Sequence, residues 1–153
     1  YCTEDTDFVP DGWYASDGVT SIADTEIPVG HSFFVSTGAE VSLVVAGQVS
    51  SSNVVVSCDA GFTAMGNPRP YTIQFGDLVC ANVQSGDNIQ FFDASGNVSS
   101  TAVYCTQDTD FVPDGWYASD GVTSIASNEI SAGQGFFFSS STGGSTITIP
   151  ALY

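Results

Sequence analysis

Apolar and polar residues along this chain follow the two-residue period of a β-strand. Tyr71 to Phe75 alternates, and Ser145 to Ile149 closes with isoleucine at every second position, a pattern that turns one face inward and wets the other. Val41 to Val45 and Asn53 to Ser57 are short runs rich in β-branched residues, as strands favour. Asn88 to Phe92 and Val98 to Tyr104 flank Asp93 to Asn97 as the arms of a hairpin. Gly135 to Phe138 is an aromatic run, read as a buried or interface strand. Asp-Gly pairs at 11–12, 17–18, 114–115 and 120–121 mark turns around short strands at Trp13-Tyr14 and Trp116-Tyr117. No window carries a 3.6-residue period. The expected fold class is all-β, with antiparallel sheets in a sandwich-like arrangement.

An internal repeat organises these elements. Tyr1 to Ala23 returns at Tyr104 to Ala126 with one change, Glu4 becoming Gln107. Beyond it, Ile27, Gly30, Phe33 and Phe34 correspond to Ile130, Gly133, Phe136 and Phe137. The chain reads as B–A–B: a first B half over 1–46, then 47–153 as one module made of an A half and a second B half. One A half is thus offered to two B halves. Either both pack on it, or the spare one is completed by another chain through strand donation, which propagates head to tail. A tandem duplication that lost one half to processing gives the same pattern. Phe33, Phe34, Phe136, Phe137 and Phe138 put aromatic side chains on both faces of a strand; one face fills a core and the other needs cover.

Composition narrows the setting. Seventeen Asp and Glu face a single Arg69 and no Lys, giving a net charge of −16. Such a chain repels phosphate backbones, so no nucleic-acid partner is expected. Charged residues make up 12% and aromatic residues 12%, which argues against an acidic disordered chain. No apolar run is long enough for a membrane-spanning helix. The first residues, Tyr1 to Glu4, carry neither a basic nor an apolar stretch, and a mature exported product is the expectation.

A set of local motifs adds a resemblance. Gly61-Phe62, Met65-Gly66-Asn67-Pro68, Gly76-Asp77, Gly86-Asp87, Ile89-Gln90 and Gly115-Trp116-Tyr117 lead to Ile130 and Gly133-Gln134-Gly135-Phe136-Phe137. The series resembles a repeated module of secreted bacterial surface proteins, with its "GNP", its hairpin and its closing "GQGFF". The resemblance covers residues 55–138, and over 1–35 the second half alone. It implies an exported β-sandwich of mostly unassigned function, and carries over no catalytic residue. The first copy departs from the pattern, with His31-Ser32 in place of Gln134-Gly135.

Candidate chemistry is sparse. His31 is the only histidine, so a nucleophilic triad has to use it, and the other copy puts Gln134 there. The acids stand mostly at turns, where Asp caps its own backbone, rather than as a hydrolytic pair. Asp5, Asp7, Asp108 and Asp110 place hard oxygen ligands two residues apart, a candidate for structural calcium without the spacing of an EF-hand loop; no other cofactor is expected. Trp13 and Trp116 read either as core plugs or as a sugar-stacking platform. Asn97-Val98-Ser99 is a glycosylation sequon in the hairpin loop. Cys2, Cys58, Cys80 and Cys105 are even in number and lack paired metal-site spacing, so disulfides are expected. The favoured pattern joins Cys2 and Cys105 each to one of Cys58 and Cys80, with an intermolecular bond through Cys2 as the alternative.

The expected function is non-enzymatic: an extracellular or cell-surface structural subunit that self-assembles head to tail into a filament or surface layer, its partner being itself. A carbohydrate-binding or adhesion module, with glycans as partner, is the alternative. Ice binding by Thr-rich strands is a third reading, for which Ser145 to Ile149 alone is short.

Overall fold

The computed structural model describes residues 1–3, 9–37, 42 and 48–151. Ten strands lie among them: β1 (Val54–Cys58), β2 (Gly61–Gly66), β3 (Ile73–Gln74), β4 (Val79–Ala81), β5 (Asn88–Phe92), β6 (Val98–Cys105), β7 (Gly115–Ala118), β8 (Glu129–Ile130), β9 (Gly135–Ser140) and β10 (Ser145–Ile149). Every pairing is antiparallel. A three-stranded sheet runs β1-β10-β4, a five-stranded sheet runs β2-β9-β5-β6-β7, and β3 pairs with β8. The all-β expectation holds. None of the described helices is long and apolar enough to cross a membrane.

Alternation decides what fills the core. Val54, Val56 and Cys58 of β1 and Ile147 and Ile149 of β10 point inward from one sheet. Met65, Ile89, Phe91, Phe136, Phe138 and Trp116 answer from the other. Phe136 and Phe138 are fully buried, whereas Phe137 between them lies on the outer face. The hairpin expected at 93–97 is present, closed by the Asp93 amide donating to the Asn97 carbonyl at 2.9 Å.

Several expectations change. Only Ile73-Gln74 of the stretch from Tyr71 to Phe75 is a strand, because Phe75–Asp77 winds into a 3-10 turn whose Asp77 carboxylate accepts the Gln74 amide at 2.8 Å. β2 was not foreseen, nor was the four-residue helix α1 (Gln107–Asp110). The strand expected at Val41 to Val45 rests on positions outside the described residues.

The expected disulfides are not formed: Cys2, Cys58, Cys80 and Cys105 are free thiols. Strand order separates Cys58 and Cys80 from each other, and Cys105 and Cys2 are held elsewhere. Cys58 pairs with Ser145 and Cys80 with Ile147 on opposite sides of β10. Two strand spacings, about 9.5 Å, exceed the span a disulfide bridges. Tyr104 packs against the core, so its neighbour Cys105 faces the other way, with its thiol 3.7 Å from the Gly121 carbonyl. Cys2 bridges to Gly12 in the first copy. Burial raises the Cys58 thiol pKa and pushes Cys80 up to about 11, the neighbouring Trp116 indole offsetting part of the rise.

Candidate functional site

The two copies build one local fold twice. The Ile22 amide donates to the Trp13 carbonyl at 2.9 Å, and Ile125 to Trp116 at 3.0 Å. The Tyr14 hydroxyl donates to the Pro10 carbonyl at 2.9 Å, as Tyr117 does to Pro113 at 2.9 Å. Asp17 accepts the Val19 and Thr20 amides and the Thr20 hydroxyl; Asp120 accepts the same set from Val122 and Thr123. These are Asx turns, which the Asp-Gly pairs encode. Gly18 and Gly121 follow each aspartate with φ of 69° and 68°, a region glycine enters without a Cβ penalty. The Thr20 hydroxyl, with the Thr20 and Val19 amides, lowers the Asp17 pKa to about 2. Asp120 is lowered likewise, first by the Thr123 amide.

Surroundings separate the copies. Trp116 is 3% exposed and Trp13 43%; Ile130 is fully buried and Ile27 is 55% exposed. Trp116 lies edge-on to Tyr104 at 5.2 Å and beside Phe75 at 5.9 Å. Trp13 keeps the first contact, with Tyr1 edge-on at 5.4 Å, and lacks a counterpart of Phe75 among the described ring contacts. Tyr1, Trp13, Ile22 and Ile27 are thus exposed apolar side chains, a face defined by their equivalents, which in the second copy sit in or against the core.

The first copy is anchored on the module through a short segment. Gly66 donates its amide to the Gly30 carbonyl at 3.0 Å and Ser32 donates to Ala64 at 3.3 Å, while His31 bridges Met65. This uses the outer edge of β2, opposite the edge taken by β9. Gly30 is buried against the core valines of β1, so close that an added Cβ would lie 2.7 Å from Val56 Cγ2 and 2.8 Å from Val54 Cγ1. Phe34 stacks on Phe137, its own repeat equivalent, at 5.0 Å with planes 5° apart. Phe92 and Phe62 meet Phe137 edge-on at 5.3 and 6.0 Å. The outward aromatic of β9 thus receives part of its cover from the same chain. Phe33 stays 45% exposed although its equivalent Phe136 is in the core.

Two polar residues to which sequence reasoning assigned no structural role lock this region. Arg69 is buried, and its guanidinium donates to the carbonyls of Ser50, Ser52 and Ile149 at 2.5, 2.8 and 3.1 Å. Its signal was its isolation, the one cation of a strongly acidic chain. Asn67, of the "GNP" motif, donates its side-chain amide to the carbonyls of Tyr71, Ile130 and Ser131. That motif is a structural pin across the β3–β8 pair.

The remaining candidates are scattered. His31 is exposed and borders a cleft of about 330 Å³ with Ser32, Asn67 and Pro68. Asp5 and Asp7 lie outside the described residues. Asp110 accepts from the Ser85 hydroxyl at 2.6 Å and the Thr106 amide at 2.8 Å, which ties α1 to the loop before β5, and Asp108 is exposed. No metal-holding group of three or more His, Cys, Asp or Glu occurs among the described residues. Asn97 is exposed at the hairpin tip. Compared with known protein families, characterised proteins and solved structures, the chain matches none.

Proposed function

We propose that the protein is a non-enzymatic structural subunit of an extracellular assembly, joined head to tail to neighbouring β modules in a filament or surface layer, with its first copy as the joint. One observation carries this reading: Trp13 stands in the same hydrogen-bonded frame as Trp116, yet is 43% exposed against 3%. The frame is built for a covered position that this chain leaves open. Ile22 and Ile27 are 39% and 55% exposed, so covering them gains roughly half of the 1.5–3 kcal/mol of a fully buried side chain, about 1 kcal/mol each. The net charge of −16 opposes lateral clumping and leaves the apolar end as the favoured contact.

Sedimentation and negative-stain microscopy over a concentration series test it. Particles lengthening with concentration are expected, and Ile22→Asp with Ile27→Asp should stop their growth. A single 15.9 kDa species at every concentration contradicts the reading.

The exposed Trp13 ring also favours a second reading, a glycan-binding platform. It predicts glycan-array binding that Trp13→Ala abolishes. Trp116 is withdrawn from that platform by its burial in the core.

A further inference from the structure

We infer that the face of Tyr1, Trp13, Ile22 and Ile27 receives a segment of the 53–103 kind, additional to the one this chain folds around its own second copy. The inference rests on the proposed role of the first copy as a joint and names its partner. What the face lacks is defined residue by residue by the second copy. Trp116 has Phe75 at 5.9 Å, and Ile130 pairs with Ile73. Both partners belong to the middle of the chain. The first copy retains the internal contact, Tyr1 on Trp13, in the geometry of Tyr104 on Trp116.

Register supports the same partner. β6 runs unbroken from the middle segment into the second copy, ending in Tyr104 and Cys105, which pair with Trp116 and Gly115. Cys2 holds Gly12 in the same way, by reciprocal backbone bonds of 2.9 and 3.1 Å. A strand with the sequence of Val98 to Val103 placed ahead of Tyr1 continues this ladder without a shift of side chains from one face to the other.

Stoichiometry excludes a second copy of this chain as the complete solution. Its middle segment is already engaged by its own second copy through β2–β9, β5–β9, β6–β7 and β3–β8. Exchange among identical chains trades one unpaired copy for another, so an extra segment of the middle kind is needed.

Two fusions test this on the full chain. One places an added copy of residues 48–103 directly before Tyr1; the other appends it after Tyr153 through a flexible linker. Acrylamide quenching reads the outcome. The native chain gives one accessible and one protected tryptophan, and Trp13→Phe removes the accessible component. The inference predicts that at least one fusion loses that component while Trp116 remains protected. Trp13 accessible in both fusions overturns it. Exposure of Trp116 in both overturns it too, because the added segment then disturbs the resident pair instead of being taken up by the spare copy. An unfused chain that associates while both fusions leave Trp13 accessible retains the joint and rejects this partner. A chain monomeric at every concentration rejects the joint itself.

Discussion

Trp13 and Trp116 occupy one position in two copies of the same local fold: each accepts the amide of an isoleucine nine residues on, and each meets a tyrosine edge-on. One ring is in the core and the other is 43% exposed. Local sequence cannot be the cause, since the first 23 residues of the copies differ only at Glu4 and Gln107. What separates them is the middle segment, whose Phe75 lies against Trp116.

The two tryptophans should therefore differ in energetic weight. Trp116→Ala opens a core cavity and is expected to cost about 3–5 kcal/mol. Trp13→Ala should cost less than about 1 kcal/mol in the dilute chain. Urea denaturation of both variants checks this. Equal losses would mean that Trp13 is packed as deeply as its twin.

The Asx turns make a titration prediction. Asp17 has a folded pKa of about 2 against an ordinary 3.8, so its turn is favoured above 3.8 and that preference is lost as pH falls through about 2. Carboxyl NMR should show a midpoint near 2. Thr20→Val removes the hydroxyl donor and should move the midpoint up towards 3.8. An unchanged midpoint in that variant would assign the shift to the backbone amides alone.

All four thiols should be titratable after unfolding, and a reductant should leave the melting temperature unchanged. With Cys80 at about 11, only about one thiol in a thousand is ionised at pH 8. Alkylation of Cys80 in the folded protein should accordingly be slow. A reductant-dependent fall in melting temperature would restore the disulfide expectation.

Gly30→Ala should release the anchor. The added methyl meets Val54 and Val56 at under 3 Å, at a φ of 89° that side chains resist. Hydrogen exchange at the Gly66 and Ser32 amides should accelerate while β5 stays protected. Gly133→Ala, with open space around its Cβ, carries only the backbone strain of its φ of 70°. Identical exchange in both variants would show that the close approach at Gly30 plays no part.

Strands with a period were legible in advance. β5 and β10 fall where Asn88 to Phe92 and Ser145 to Ile149 were placed, because β-branched and aromatic residues fix both type and face. β2 escaped because Gly-Phe-Thr-Ala-Met-Gly has glycine at both ends and no alternation; its pairing with β9 makes it a strand. The cysteines misled because count and repeat position say nothing about which face a side chain takes. For the candidate site, the repeat and its imbalance were visible, whereas the anchor at Gly30 and the clamp of Arg69 depend on contacts between distant segments. Trp13 and Trp116 looked alike in sequence because what distinguishes them is the residues packed around each ring.

The most direct measurement is acrylamide quenching of the unmodified chain over a concentration series, with Trp13→Phe assigning the accessible component. The account predicts that Trp13 becomes less quenchable as concentration rises while staying more quenchable than Trp116, whose full cover takes a middle segment of its own. A Trp13 equally quenchable from dilute to concentrated solution would contradict it.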